Sequence, residues 1–188
     1  MVSRFFLALL LAGNVAAAEL EGVKLDERVR VDGQEIQLNG IALRKRFAIF
    51  KVYVAGLYLP EKTSSAQQAI NASGAKRMVL VMLRDVSAEQ FIESFDVALR
   101  NNNSEAQLAE VNAQKEDLFA RIRTIGEART GANILLDYLP SAGTLLTIDG
   151  AEKGKPIPGE AFYRAILRSW LGENPSQEDM KKALLGQP

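Results

Sequence analysis

The sequence predicts an α+β domain in which a largely antiparallel sheet carries its helices on one face. Predicted strands and predicted helices come in separate runs, in the order strands, helices, strands, helices, and such segregation is typical of α+β domains. Two of the strands, residues 47–59 and 76–86, are apolar on both faces, so both faces of the sheet must be covered. No repeat, low-complexity segment or linker divides the chain, and we therefore expect one domain.

The first predicted element is a hairpin over residues 29–38. Asp32 and Gly33 form a turn dipeptide between two short segments of alternating polarity. Asn39 and Gly40 form a second such dipeptide, ahead of the longest apolar run. The sequence therefore predicts a tight turn at this second dipeptide and a new strand after it.

The longest apolar run covers residues 47–59 and ends at Pro60. It is too short to span a membrane and carries Lys51 near its centre, whereas its content of Val, Ile, Tyr and Phe favours a strand. Because both faces of this strand are apolar, we expect a core on one side and helices or a ligand on the other. Three cations directly precede the run: Arg44, Lys45 and Arg46.

Arg44 raises a question, because it adjoins a strand that should be buried on both faces. An unpaired guanidinium in such a place would cost a large free energy of desolvation. Either Arg44 lies at the solvated rim with Lys45 and Arg46, or its side chain points inward and meets an anion. The spacing alone favours the rim.

The middle of the chain predicts helices. A short surface helix over residues 63–72 precedes the second two-sided strand at residues 76–86. Two capping-box patterns then mark helix starts: Ser87 with Gln90, and Ser104 with Gln107. The second of these helices should run toward Arg129.

The C-terminal part predicts strands followed by helices. Strands at residues 133–140 and 144–149 are joined by a small polar turn, and a short closing strand follows near residues 155–157. Residues 160–171 then form a helix, and Ser176 has the position of the N-cap of a last helix. Trp170 lies on the apolar face of the first of these helices, so periodicity alone places it in the core.

The first eighteen residues predict an export signal. Arg4 precedes a short apolar block, and the small residues 16–18 after it resemble the site that signal peptidase cuts. We expect cleavage after Ala18, a single domain over residues 19–188, and a periplasmic protein with no membrane span after cleavage. An uncleaved membrane anchor is the alternative.

Composition removes several classes of chemistry. The chain has no His and no Cys, which excludes Ser-His-Asp and Cys-His nucleophilic sites, zinc sites with the usual ligands, haem held by His, and disulfides. We therefore expect neither a metal nor a cofactor. Its 23 basic residues balance its 23 acidic residues, so bulk charge does not predict a nucleic-acid partner.

Four segments in order resemble the chalcone isomerase-like family, and more closely its bacterial branch of exported proteins of unassigned activity. They read "NGIALRKRFAIFKVYVAGLYLP", "RDVSAEQFIESF", "LDYLPSAGTLLTIDG" and "IPGEAFYRAILRSWLGENPSQEDMKKALLG". The resemblance runs from Val29 to the C-terminus. It implies an open-faced β-sandwich, in which one large antiparallel sheet is covered by a layer of helices and a ligand cleft lies between the two.

The resemblance also assigns a role to Arg44. In the plant isomerases an Arg ahead of the long strand guides the attacking phenolate, and in the fatty-acid-binding relatives an Arg holds the carboxylate. Arg44 matches that Arg in its motif.

The remaining positions of the isomerase site differ in this chain. Tyr53 stands where the isomerases have a Thr that helps to polarise the ketone, and Phe91 stands where they have the catalytic Tyr. Ala98 replaces an Asn, and Ser169, followed by Trp170, replaces a second Thr. Because two donors to the developing enolate oxygen are lost, at about 3 kcal/mol each, we expect no efficient cyclisation of a chalcone.

Apolar walls with one guanidinium suit an amphipathic anion. We therefore expect a non-catalytic binding or carrier protein for a small hydrophobic anion such as a fatty acid. One alternative is an isomerase or intramolecular lyase that uses Arg44 and Tyr53 on an unknown small substrate, with Lys51 on the same strand face lowering the pKa of Tyr53. Another is a structural or partner-binding protein with a filled cleft.

Overall fold

The computed structural model of the protein describes residues 17–187. Most of the predicted export signal lies outside the described residues. Ala17 and Ala18 are described and form the start of the first strand.

Eleven strands and six helices make up the described part of the chain. The strands are β1 Ala17–Leu20, β2 Val23–Asp26, β3 Arg28–Val31, β4 Gln34–Arg46, β5 Phe50–Leu59, β6 Lys76–Met82, β7 Val86–Ser87, β8 Glu127–Ala128, β9 Asn133–Leu139, β10 Gly143–Ile148 and β11 Ala151–Glu152. The helices are α1 Ala66–Asn71, α2 Ala88–Asn102, α3 Glu105–Glu110, α4 Asn112–Arg123, α5 Glu160–Leu171 and α6 Glu178–Leu184.

Seven strands form one antiparallel sheet in the order β11-β10-β9-β6-β5-β4-β3. The helices lie on one face of this sheet and bury the larger core against it. The opposite face carries a smaller apolar cluster to which β2, on the ribbon of β1 and β2, contributes Leu25. The predicted α+β open-faced sandwich is thereby confirmed. Within residues 17–187, every helix is too short or too polar to cross a bilayer.

The long predicted strand is two-sided only in its second half. Residues 53–59 are all buried, with the helices on one side and the smaller cluster on the other. At its beginning, Phe47, Ile49 and Phe50 are exposed. The expectation that both faces are covered along the whole run is therefore wrong at this end.

The start of that strand is also different from the prediction. Arg44, Lys45 and Arg46 end β4, and Phe47 and Ala48 reverse the chain with positive φ angles of 51° and 61°. The strand β5 begins only at Phe50. Turns are normally recognised in a sequence by Gly, Asn, Asp and Pro. A turn made of apolar residues is therefore mistaken for part of a strand when only the pattern of apolar residues is considered.

The predicted turn at Asn39 and Gly40 is wrong, because β4 runs through both residues with a bulge. The Asn39 side chain donates to the carbonyl of Leu184 at 2.7 Å and accepts from the backbone N–H of Thr63 at 2.8 Å. A Cβ on Gly40 would collide with the carbonyl oxygens of Ala183 and Leu184. The dipeptide therefore docks the end of α6 onto the sheet instead of reversing the chain.

The remaining differences concern element ends. The strand predicted over residues 76–86 is divided into β6 and β7, and the helix predicted to reach Arg129 is divided into α3 and α4. Near residues 155–157 the chain makes only one bridge, from Ile157 to Thr144, and the short closing strand is β11. Gln177, not Ser176, precedes the last helix. Ser87 and Ser104 are confirmed as N-caps.

The close approach at Gly40 leads to a stability prediction. We expect Gly40→Ala to lower the free energy of unfolding by about 1–3 kcal/mol, because the added methyl group must push α6 away from β4. Hydrogen exchange of the α6 amides should accelerate in this variant. The control is Gly33→Ala, which strains a backbone with φ of 74° but meets no atom within 4 Å. Equal α6 exchange in both variants would contradict the assigned role of Gly40.

Candidate functional site

A cavity of about 120 Å³ lies between the sheet and the helices, beside the end of the β4–β5 hairpin. All six side chains predicted from the sequence line this cavity: Arg44, Tyr53, Phe91, Ala98, Ser169 and Trp170. The structure therefore brings together residues that lie up to 126 positions apart in the chain.

The apolar walls come from two helices that cross the sheet. Along α2, Phe91, Phe95 and Ala98 recur at the spacing of one helix face and point to the cavity. From α5, Trp170 packs against Phe95 with ring centroids 5.4 Å apart. Trp170 is thus both a core residue, as periodicity indicates, and a wall of the cavity.

Tyr53 is buried at the sheet side of the cavity. Its hydroxyl oxygen accepts a hydrogen bond from Nε1 of Trp170 at 3.1 Å. Burial raises the pKa of Tyr53, and the Trp170 hydrogen bond and the positive charge of Arg44 offset this only in part. The phenol therefore keeps its proton at neutral pH and can donate it to a ligand oxygen in the cavity.

Lys51 does not assist Tyr53, contrary to the expectation that both share a strand face. A register shift between Arg44 and Lys45 places Val52 and Tyr53 together on the cavity side. Lys51 instead forms an ion pair with Glu21 at 2.5 Å. The expected lowering of the Tyr53 pKa by Lys51 is therefore wrong, and the pKa is shifted in the opposite direction.

Ser169 supplies a second hydroxyl. The residue is only 2% exposed, and its Oγ has no hydrogen-bond partner among the described residues. A buried hydroxyl without a partner costs free energy, and at this position on the cavity wall it can donate a hydrogen bond to a ligand oxygen.

Arg44 is half-buried at the edge of the cavity. Its position is therefore intermediate between the two that the sequence allowed, the solvated rim and an inward orientation. Its Nη1 donates to the carbonyls of Lys45 and Ser176 and to Oε1 of Gln177, at 3.1, 3.2 and 3.3 Å. These acceptors are neutral, so they orient the guanidinium without neutralising it. Gln177 also accepts from the backbone of Lys45 at 2.8 Å, which ties the start of α6 to β4.

The mouth of the cavity is cationic. Arg46 and Arg84 are exposed and line the cavity together with Arg44. Within residues 17–187, the side chains that line the cavity include no carboxylate. Arg84 is a site residue that the sequence reasoning missed, although a cation two residues after the end of a buried strand resembles the cation next to a buried strand that pointed to Arg44.

A second, smaller space of about 20 Å³ lies deeper and has only apolar side chains as its walls. The two spaces share Val86, Phe91 and Phe95. Phe91 is half-buried, and its ring lies 5.9 Å from that of Phe95. This aromatic pair therefore separates a polar entrance from an apolar interior.

Comparisons with known proteins agree with the fold. The structure is similar to the crystal structure of a fatty-acid binding protein from Arabidopsis thaliana, with a TM-score of 0.69 and 14% sequence identity, over 90% of this chain and 96% of that chain. At this identity the similarity shows a shared fold. No curated protein sequence matches the chain. The sequence profile of the chalcone isomerase-like family matches residues 17–186, and the protein therefore belongs to the chalcone isomerase-like family.

Proposed function

We propose that the protein is a non-catalytic binding or carrier protein for a hydrophobic carboxylate such as a fatty acid. The observation that carries the proposal is an excess of donors in the cavity. The Arg44 guanidinium, the Tyr53 hydroxyl and the unpartnered Ser169 hydroxyl all line it, and its lining includes no carboxylate among the described residues. Such a site favours an anion that only accepts hydrogen bonds.

A carboxylate suits this donor set better than a neutral ligand does. Guanidinium and carboxylate can form two parallel hydrogen bonds, and charge-assisted bonds of this kind are about twice as strong as neutral ones. The protonated phenol of Tyr53 is a further donor within the same space. In this proposal the carboxylate lies at Arg44 and the alkyl chain extends past Ala98 and the aromatic rings.

The size of the cavity limits what the resting structure holds. Its volume of about 120 Å³ is below the roughly 300 Å³ at which pockets for larger organic ligands begin. A long alkyl chain therefore has to displace the half-buried Phe91 ring and enter the apolar interior behind it. Each methylene that is buried there contributes about 0.8 kcal/mol to binding.

The alternatives receive less support from the site. An open cavity beside Arg44 argues against a filled cleft. The raised pKa of Tyr53 argues against a phenolate base, although the protonated phenol and Arg44 retain the ability to polarise a carbonyl oxygen. The similarity in fold to a fatty-acid binding protein favours binding over isomerisation.

We further propose that residues 1–18 direct export and that the protein works in the periplasm. Sequencing the N-terminus of protein from a periplasmic fraction tests this directly. A start at Glu19 supports the proposal, and an intact N-terminus in the membrane fraction would favour the uncleaved anchor.

The proposed role of Arg44 predicts a selective loss of binding. We expect Arg44→Ala to weaken binding of hexadecanoic acid by about 10- to 100-fold, because a hydrogen-bonded charge pair is lost. Calorimetric titration measures this loss. Hexadecanol, which has no carboxylate, should bind wild type and variant equally.

The matched control for charge is Arg28→Ala, because Arg28 lies on β3 and pairs with Glu35. It should leave affinity for the acid unchanged. If Arg44→Ala binds the acid as tightly as the wild type does, the carboxylate does not lie at Arg44 and the proposal fails.

The partition formed by Phe91 predicts a change in chain-length preference. We expect Phe91→Ala to bind hexadecanoic acid more tightly relative to octanoic acid, by about fourfold for each additional methylene that is buried. Titration with a series of saturated acids measures the preference. Val97→Ala, an exposed position on the same helix, is the control. An unchanged chain-length profile would show that the alkyl chain does not pass Phe91.

A further inference from the structure

The end of the β4–β5 hairpin exposes apolar side chains that the core does not use. Phe47 and Ile49 are 75% and 72% exposed, and Phe50 is 49% exposed. Among residues 17–187 the one other large hydrophobic side chain exposed to this degree is Val97, which lies on α2. We call residues 47–50 the apolar tip.

The backbone of the apolar tip shows that turn formation alone does not explain its sequence. Phe47 and Ala48 both adopt positive φ angles, which are unfavourable for residues with a Cβ atom. Gly or Asn would make the same turn at lower cost. The chain thus has an aromatic residue at a position where a small polar residue would give a more stable turn.

Cations surround the apolar tip. Arg46 lies 5.1 Å from the ring of Phe47, and Arg84 lies 5.9 Å from the ring of Phe50. The other nearby cations are Arg44, Lys45 and Lys51. Three carboxylates belong to the same region: Glu21, which is paired with Lys51, Asp85, which accepts from Thr130, and Asp179 near the start of α6. Since the whole chain is electrically neutral, this basic end is a local asymmetry.

We propose that the apolar tip docks the protein onto an anionic lipid bilayer. Aromatic and aliphatic side chains enter the boundary between headgroups and acyl chains, and flanking cations bind anionic headgroups. A convex turn of four residues fits insertion into a bilayer. It is too small for a stable protein interface, which buries about 800 Å² on each partner.

Docking in this way also orients the cavity. Arg44, Arg46 and Arg84 line the cavity mouth and lie beside the apolar tip, so the mouth faces the surface that the tip enters. A hydrophobic carboxylate that resides in the bilayer could then pass directly to Arg44. This transfer depends on the proposed function, whereas the docking itself does not.

Flotation with lipid vesicles tests the docking. We expect the protein to bind vesicles of equal parts phosphatidylcholine and phosphatidylglycerol at least about tenfold more strongly than vesicles of phosphatidylcholine alone, and to dissociate in concentrated salt. The double variant Phe47→Ser, Ile49→Ser should lose binding by about tenfold or more. The double variant Lys45→Gln, Lys51→Gln should weaken the preference for the anionic vesicles, because Arg44, Arg46 and Arg84 remain. Val97→Ser is the control and should bind as the wild type does.

Insertion is measured with a tryptophan at the tip. With Trp170 replaced by Phe in both variants, fluorescence of Phe47→Trp should be quenched by lipids brominated on their acyl chains, and that of Val97→Trp should not. Wild-type binding by the Phe47→Ser, Ile49→Ser variant, or equal binding to both kinds of vesicle, would overturn the proposal. Concentration-dependent dimerisation that this variant abolishes, without vesicle binding, would overturn it in favour of a second copy of the chain.

Fatty-acid binding in solution separates this proposal from the proposed function. Phe47 and Ile49 do not line the cavity, so their double variant should keep the wild-type affinity for hexadecanoic acid while it loses the vesicles. Conversely, Arg44→Ala should lose binding of hexadecanoic acid and retain binding to vesicles, which would show that docking does not depend on the proposed ligand site.

Discussion

The pairing of Arg44 with Tyr53 across β4 and β5 is the constraint on which the site depends. Residues that stand opposite each other in antiparallel strands project to the same face of the sheet. A guanidinium and a phenol are therefore fixed side by side under the helices, and neither can turn away without breaking the register. The start of α6 strengthens this arrangement, because Gln177 holds both the Arg44 side chain and the backbone of Lys45.

The buried hydrogen-bond donors of the cavity lower the stability of the fold. A buried hydroxyl without a partner, such as that of Ser169, costs about 1–3 kcal/mol. Burial also raises the pKa of Tyr53, so the sheet side adds a proton donor instead of a negative charge that would neutralise Arg44. The cavity thus carries donors without a carboxylate among the described residues that line it, which is the charge distribution on which the proposed binding of a carboxylate rests.

Much of the fold could be predicted from the sequence for identifiable physical reasons, whereas the six predicted residues of the cavity wall came mainly from the resemblance to the family. Two-sided apolar strands must lie inside the sheet, and Ser residues three positions before Gln mark helix starts because both side chains satisfy backbone N–H groups. The two bulges and the tip could not be predicted. Asn39 and Gly40 have the composition of a turn but serve the close approach of α6, and Phe47 and Ala48 have the composition of a strand but form a turn. In both cases tertiary packing or solvent exposure decides the conformation, and the pattern of apolar residues along one strand carries no information about either. The same limit hid Arg84, which reaches the cavity mouth only because β6 pairs beside β5.

One hairpin therefore joins two properties that a carrier of a membrane-soluble acid requires. Its strands hold the guanidinium that binds a carboxylate in the proposed function, and its tip carries the exposed rings and cations on which the proposed docking rests. An alkyl chain that leaves a bilayer through bulk water loses about 0.8 kcal/mol of stabilisation for each exposed methylene, so direct transfer is favoured increasingly with chain length. A binding site a few residues from the docking element shortens this exposure to the width of the cavity mouth. If the proposed docking holds, it also gives the positive φ angles of Phe47 and Ala48 a reason, because a polar turn at this place would lack the side chains that enter the bilayer.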